Sequence, residues 1–237
     1  MNILALDSAL SSCSAAVMKD GILLSEIFED RLRGQAERLL PMCVAVCHEA
    51  GVTFDDLDAI AVTRGPGTFT GVRIGLSAAK GLALALNIPL VGVTTLEAVA
   101  KEAVLQMGTS QAGRMIVVHD ARRSEVYAQI FDHKAGHVFP VTTPLAMAYD
   151  KVANLCRPPV QTMVGTGVDI MMSHLPPEMM KGIDFPGLES RPQARVVAQI
   201  AHEKFSDGKE SEAVTPLYLR NPDAIAAQPI TYGFQNQ

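Results

Sequence analysis

The chain opens on an unbroken apolar run, Ile3-Leu4-Ala5-Leu6, which stops at Asp7. A short run without alternation reads as a strand buried on both faces. Two more strands follow, Ser14 to Met18 and Ile22 to Phe28. They join at Lys19-Asp20-Gly21, where glycine supplies positive φ for a hairpin turn. The period then turns helical. Leu39, Cys43, Val46, Cys47 and Ala50 share one stripe of a helix from Gln35 to Ala50, closed by Gly51, which Pro41 either starts or kinks. A fourth strand, Ala59 to Thr63, leads into the glycine-rich segment Gly65 to Gly71. A small-residue helix from Val72 to Leu86, a fifth strand from Leu90 to Val93 and a helix from Leu96 to Gln106, capped by Thr94 or Thr95, complete the first half.

Gln106 to Gly113 reads as a junction, after which the order restarts. Met115 to His119 is an apolar strand ending at Asp120. Glu125 to Phe131 alternates cleanly, Asp132 to Gly136 is a turn, and His137 to Val141 is a third strand. Pro144 to Cys156 reads as a helix. Thr162 to Val164 is a strand running into Gly165-Thr166-Gly167, Ile183 to Phe185 a short strand, and Gln193 to Phe205 a helix. Both halves begin with a strand ending in aspartate, followed by a hairpin. The pattern predicts an α/β fold built by duplication, two βββαβαβα lobes facing across a cleft. The second lobe is shortened around residues 168–190, where Pro176, Pro177 and Pro186 interrupt regular structure. The divisions are a first lobe at 1–108, a second at 109–221 and a frayed or extended tail at 222–237.

Composition narrows the function. The 237 residues are 48% hydrophobic and 19% charged, which excludes a disordered chain. The net charge is −5, and the first 110 residues carry 8 basic and 12 acidic groups. Neither half is a basic module that would hold nucleic acid by charge alone. Aromatics are only 5%, with no tryptophan, so material for stacking on bases is scarce. The four cysteines show no framework spacing and no apolar run reaches membrane-spanning length. A soluble, cytoplasmic chain with reduced thiols is the expectation, without membrane contact.

The chemistry-bearing residues are few. Gly65 to Gly71 precedes a helix and either cradles an anion on its backbone or makes a tight crossover; it lacks the Gly-Lys-Ser/Thr ending of a P-loop. Asp7 and Asp120 either face a ligand or organise turns at their strand ends. Arg73, in the first helical turn, either pairs with an acid or faces a ligand. His133 and His137 span a turn with no third ligand close in sequence, which argues against a metal site. Cys43 and Cys47 read as buried thiols. The helix from Val72 to Leu86 is apolar nearly all round, so either its own lobe sandwiches it or another chain covers its outer face.

Three stretches, Leu4-Ala5-Leu6-Asp7-Ser8, Arg64-Gly65-Pro66-Gly67-Thr68-Phe69-Thr70-Gly71-Val72-Arg73-Ile74-Gly75 and Asp120-Ala121-Arg122-Arg123-Ser124-Glu125-Val126-Tyr127, resemble the TsaB (YeaZ) family, as does Pro216-Leu217-Tyr218-Leu219-Arg220. The lobes resemble the wider actin/sugar kinase/Hsp70 (ASKHA) superfamily. The resemblance implies a non-catalytic scaffold subunit in threonylcarbamoylation of adenosine 37, in tRNAs reading codons that begin with A. The implied partners are a TsaD-like catalytic subunit and a TsaE-like ATPase, with tRNA met only indirectly and a homodimer when the chain is alone. TsaD-like proteins carry Val-Asn-His-x-x-x-His after the fifth strand. Thr95 and Val99 stand at the two histidine positions here, so no metal and no catalytic residue are expected.

The resemblance also implies a helical partner interface of Leu39, Leu40, Cys43, Val44, Val46, Cys47, Arg73, Ile74, Gly75, Ala78, Ala79, Leu82 and Ala85. Asp7, Ser8, Gly65, Gly67, Gly71, Asp120, Gly165 and Gly167 form an expected vestigial nucleotide site. Neither aspartate has a glycine two residues on, which crowds a phosphate. No cofactor of its own is expected, and a nucleotide (ATP or ADP) at the interface with partners stays open. The alternatives are a small-molecule kinase or ATPase of the same superfamily, which needs working phosphate loops, and a metalloprotease, which needs the missing histidines.

Overall fold

A computed structural model describes residues 1–108, 112–156, 160–188, 191–206 and 213–220; the expected tail at 222–237 lies outside them. Five strands build the first sheet: β1 (Asn2–Asp7), β2 (Ser12–Lys19), β3 (Ile22–Asp30), β4 (Ala59–Thr63) and β5 (Leu90–Val93). Their order is β3-β2-β1-β4-β5, with β1 antiparallel to β2 and parallel to β4. The central strand is buried on both faces, as its unbroken apolar run requires: Leu4 and Leu6 enter one core, Ile3 and Ala5 another.

The second sheet is β6 (Gly113–Arg122), β7 (Glu125–Lys134), β8 (His137–Pro140), β9 (Leu145–Ala148) and β10 (Thr162–Val164). Its order, β10-β6-β7-β8, repeats that of the first sheet without the fifth strand. The short strand expected at Ile183 to Phe185 is reduced to one bridge between Thr162 and Asp184. This is the duplicated α/β arrangement with a shortened second lobe that the sequence predicts.

The helices are α1 (Gln35–Glu49), α2 (Phe69–Leu86), α3 (Thr95–Met107), α4 (Val152–Leu155), α5 (Val168–Met172), α6 (Pro177–Met180) and α7 (Ala194–Ser206). Three expectations need correction. The helix expected over Pro144 to Cys156 is mostly not one: β9 comes first, then a 3-10 turn at Tyr149–Lys151 and the single turn of α4. Ten-residue β7 exposes a long edge. β8 covers Phe131 to Lys134 and β9 covers Glu125 to Ala128, which gives those backbone groups partners. Pro41 does not start α1, which begins at Gln35 and runs through it. Finally, α2 is long and apolar enough to cross a membrane. Its buried stripe of Gly71, Val72, Gly75, Leu76, Ala79 and Ala83 packs into the first core instead.

The split at 108/109 divides the sheets but not the helices. α3 covers the second sheet: Leu96, Val99, Ala100, Ala103 and Val104 pack with Met115, Val117 and Phe131. α7 comes from the far end of the chain and covers the first sheet, with Val196, Val197, Ile200 and Ala201 against Ile3, Ala5 and Ala61. The two exchanged helices also touch each other. Charges lock this contact. Arg195 grips buried Glu102 with both carboxylate oxygens at 2.6 and 2.7 Å. Buried Lys101 reaches Glu203 at 2.7 Å and the Gly136 carbonyl at 2.8 Å, and Lys204 meets Glu97 at 3.0 Å.

Candidate functional site

At the ends of β1 and β6 the two lobes make the same local turn. The Asp7 carboxylate accepts the backbone N–H of Ala9 at 3.2 Å, and Asp120 accepts that of Arg122 at 2.8 Å. Each aspartate thus bridges to the residue two positions on, and both organise turns. Asp7 is fully buried and also accepts the Thr63 hydroxyl at 2.5 Å, while its second oxygen has no hydrogen-bond partner. Burial pushes its carboxyl up to about 7, against the pull of the Thr63 and Ala9 hydrogen bonds.

The expected phosphate loops are closed by their own backbone. A β-carbon on Gly67 would strike the Ala9 carbonyl, and one on Gly71 the Ser8 carbonyl. Ser8 Oγ donates to the Gly71 carbonyl at 2.8 Å. The Thr68 N–H donates to the Ala9 carbonyl at 2.8 Å, and the Gly71 N–H is taken by the Thr68 cap at 3.1 Å. Gly65, at φ +100°, sits against the Leu217 carbonyl. In the second lobe, Gly165 at φ +120° and the Gly167 N–H both turn onto the Val118 carbonyl, the latter at 3.0 Å. The glycines therefore serve close backbone packing, and several N–H groups that an anion would need are already spent. This favours the tight-crossover reading of Gly65 to Gly71 over the cradle.

Beside these loops lies an open cleft of about 1460 Å³ between the lobes. Asp120 borders it, whereas Asp7 does not. Its rim carries groups that the sequence reading left out of the site: Arg33, Phe69, Arg122, Arg123, Tyr218 and Arg220, together with Arg73. Arg73 stacks on Phe69, its guanidinium carbon 3.6 Å from the ring centre, and donates from Nε to the Tyr218 hydroxyl at 2.8 Å. The Phe69 and Tyr218 rings lie 5.3 Å apart. Arg73 lines the cleft, where it builds an aromatic stack; its partners among the described residues are Phe69 and Tyr218, not an acid. The signal was the four-residue spacing of Phe69 and Arg73 on α2; Tyr218 is brought in by the fold. Arg220 ties the closing segment to the second lobe through the Ala121 carbonyl at 2.7 Å and Glu125 at 2.9 Å.

Arg122, Arg123 and Ser124 all have positive φ, between 55° and 64°. A two-residue hairpin turn of this kind normally takes Asn-Gly. A side chain in that region costs on the order of 1 kcal/mol per residue. The turn that joins β6 to β7 therefore holds two exposed arginines at the cleft at some cost.

The expected helical interface divides in two. Leu39, Cys43, Val46, Cys47, Gly75 and Ala79 are buried in the first lobe's own core, so they face inward rather than toward a partner. Both thiols are pushed up by burial, Cys47 to about 11. Ile74, Ala78 and Leu82 are half-buried, and Leu40, Val44, Arg73 and Ala85 are exposed. Sequence reasoning missed Leu84, 84% exposed on the same helix. Gly81 is exposed there too, with nothing within reach of an added β-carbon, so the chain itself makes no use of a glycine at that position.

His133 is buried against Gly113, whereas exposed His137 points to Glu203 at 3.6 Å, so the two rings serve different surroundings. Among the described residues no group of three or more His, Cys, Asp or Glu side chains is arranged to hold a metal. Thr95 and Val99 are fully buried in α3.

A family model described as TsaD, tRNA N6-adenosine threonylcarbamoyltransferase, matches residues 28–225. The chain is 33% identical over 232 residues to the tRNA threonylcarbamoyladenosine biosynthesis protein TsaB of Escherichia coli, covering 93% of this chain and 95% of that one. The Haemophilus influenzae protein of the same name is 29% identical over 93% of this chain and 94% of its own. Among solved structures, YeaZ from Pseudomonas aeruginosa superposes with a TM-score of 0.79 at 30% identity, covering 92% of this chain and 99% of that one.

Proposed function

The chain belongs to the TsaB (YeaZ) family of tRNA threonylcarbamoyladenosine biosynthesis proteins, and on that premise we propose that it is a non-catalytic scaffold subunit. It holds a TsaD-like catalytic subunit in the complex that threonylcarbamoylates adenosine 37 of tRNAs reading A-starting codons, with a TsaE-like ATPase as third member. It works in the cytoplasm, and alone it pairs with a second copy through the same face. The observation that carries the non-catalytic half is the closure of the loops after β1 and β4: Gly67, Thr68 and Gly71 are packed onto Ser8 and Ala9 where a kinase would leave room for phosphates. A nucleotide held by this complex therefore needs groups from a partner.

The scaffold half is supported by the outer face of α1 and α2. Leu40 and Val44 on α1 and Leu84 on α2 are 46%, 56% and 84% exposed, and Leu84 lies one turn from the bare backbone at Gly81. A shallow hollow of about 390 Å³ beside Lys80, Leu84 and Asn87 continues that face. Apolar side chains around a glycine let another helix approach closely. The test is a reconstituted modification assay with and without this chain, run with Val44→Glu and Leu84→Glu. Without the chain, or with either variant, modification should fall at least tenfold, and sedimentation should show lost association with the monomer still folded. Full modification without the chain, or intact association of both variants, would refute the scaffold reading.

A further inference from the structure

We propose that the cleft between the lobes binds single-stranded RNA directly, which makes this chain part of the tRNA-reading surface; the inference rests on the scaffold reading above and extends it.

Charge is the first observation. A chain of net charge −5 gathers Arg33, Arg73, Arg122, Arg123 and Arg220 around one opening. Glu37 and Asp120 also line it, Asp120 lies 3.7 Å from Arg122, and Glu125 pairs with Arg220, so five arginines stand against three acids. Such local reversal focuses positive potential where the overall charge would repel an anion. Rigidity is the second. Arg122 and Arg123 stand on a turn whose backbone is confined to the left-handed region, so the guanidinium groups start from a fixed base. The third is the stack of Phe69, Arg73 and Tyr218. The two rings are 53% and 44% exposed at the cleft in a chain poor in aromatics. Exposed rings side by side, with a guanidinium plane laid on one of them, offer flat faces to an unstacked base, and the surrounding arginines match the phosphates of the strand that carries it.

A mononucleotide fits these groups less well. It would set its phosphates in the loops, and those loops have spent their N–H groups on Ala9, Thr68 and Val118. An acidic peptide would engage the arginines but has no use for the aromatic stack. A looped RNA strand uses both sets, and the cleft of about 1460 Å³ has room for more than one nucleotide.

The experiment titrates a fluorescently labelled 17-nucleotide RNA stem-loop with the full chain, alone and with its catalytic partner, at several salt concentrations. Contact with three phosphates gives a slope of log K against log salt of about −2. Replacing Arg122 by Ala and Arg123 by Asn should weaken binding about tenfold or more and flatten that slope. Tyr218→Ala should weaken binding about tenfold while leaving the slope unchanged, because stacking is not a salt effect. Tyr218→Phe keeps the ring and should bind nearly as the parent, which separates stacking from a folding defect. No RNA binding, binding unaffected by the arginine and Tyr218→Ala changes, or equal competition by a polyglutamate peptide would overturn the inference. The outcomes separate from those of the scaffold reading. If the parent chain is needed for tRNA modification but these variants modify and assemble normally, only the RNA contact fails. If the chain is dispensable, the scaffold reading itself fails.

Discussion

Asp7 ends β1 and Asp120 lies two residues before the end of the equivalent β6; each accepts the N–H two residues on, yet one is sealed and the other open. Asp7 is completely buried, while the side chain of Asp120 is 24% exposed at the cleft. The strands do not cause this difference; the crossovers that follow β4 and β10 do. In the first lobe the segment from Gly65 to Thr68 folds over Ser8 and Ala9 before α2 begins. In the second lobe only Gly165-Thr166-Gly167 separates β10 from α5, and Thr166 offers its hydroxyl to the Asp120 N–H at 3.3 Å without covering it. In the second lobe it is the neighbouring His119 that is fully buried. Duplication fixed the strand ends, and loop length decided which lobe kept an accessible one.

The largest way to break this pairing of lobes is to cut the lock between the exchanged helices. Glu102→Leu removes the buried partner of Arg195 and should cost about 3 kcal/mol. Arg195 is 30% exposed and recovers part of its solvation, which keeps the loss at the low end. Urea denaturation measures the loss, and hydrogen exchange at β1 and β6 measures coupling. In the parent the two strands should open together; in the variant they should part. Unchanged stability, or strands that still open at one rate, would mean that α3 and α7 hold the sheets by apolar packing alone.

Most of this frame was readable from residues. The apolar runs at Ile3 to Leu6 and Met115 to His119 located both central strands, and the restart after residue 113 revealed the duplication. What stayed hidden was set by distant partners. Leu145 to Ala148 has no strand signature of its own and becomes β9 because half of the β7 edge needs pairing. The stripes of α3 and α7 show that each helix is covered, but an amphipathic stripe does not say by which sheet. For the same reason, the apolar stripe of α1 does not by itself separate a partner surface from a core face; Leu39, Cys43, Val46 and Cys47 face its own core. At the cleft, the arginines of the β6–β7 turn were visible as a motif. Their alignment with Phe69 and Tyr218 depends on a contact between residues 145 positions apart.

A smaller effect sharpens the comparison through pH. The Asp7 carboxyl is held up at about 7 and the His119 imidazole down at about 4, both by burial. The Nδ1 of His119 accepts the Thr166 N–H at 3.2 Å. The signs oppose. For Asp7, the unfolded chain loses its proton near pH 4 while the folded chain keeps it, so its contribution falls as pH rises from about 4 to 7. For His119, the unfolded chain gains a proton below about pH 6.5 while the folded chain resists, so its contribution falls as pH drops toward 4. The parent should therefore show a shallow profile across this window. Asp7→Asn should gain about 2–4 kcal/mol at pH 7 and leave stability rising with pH; His119→Asn should leave it falling. Denaturant midpoints at half-unit pH steps test this. Parallel profiles for all three proteins would mean that neither group is held in its neutral form.

The smallest effect concerns turns. The hairpin between β2 and β3 uses Asp20-Gly21, at φ 49° and 81°, and its counterpart between β7 and β8 uses Ala135-Gly136, at φ 50° and 81°. Both place glycine where a side chain is disfavoured. The β6–β7 turn breaks the pattern with Arg123-Ser124, at φ 55° and 60°. Ser124→Gly should relieve that position. The gain is reduced because glycine also frees the unfolded chain, leaving about 0.5–1 kcal/mol net. In a chain of this size that raises Tm by about 1–4 °C. Gly136→Ser, the reverse exchange in the relaxed turn, should lose a similar amount. A gain at 124 with a loss at 136 would identify the arginine turn as the place where the second lobe accepts strain to present charge at the cleft. No gain at 124 would show that the turn is relaxed by its own contacts, and that holding Arg122 and Arg123 there costs the fold nothing.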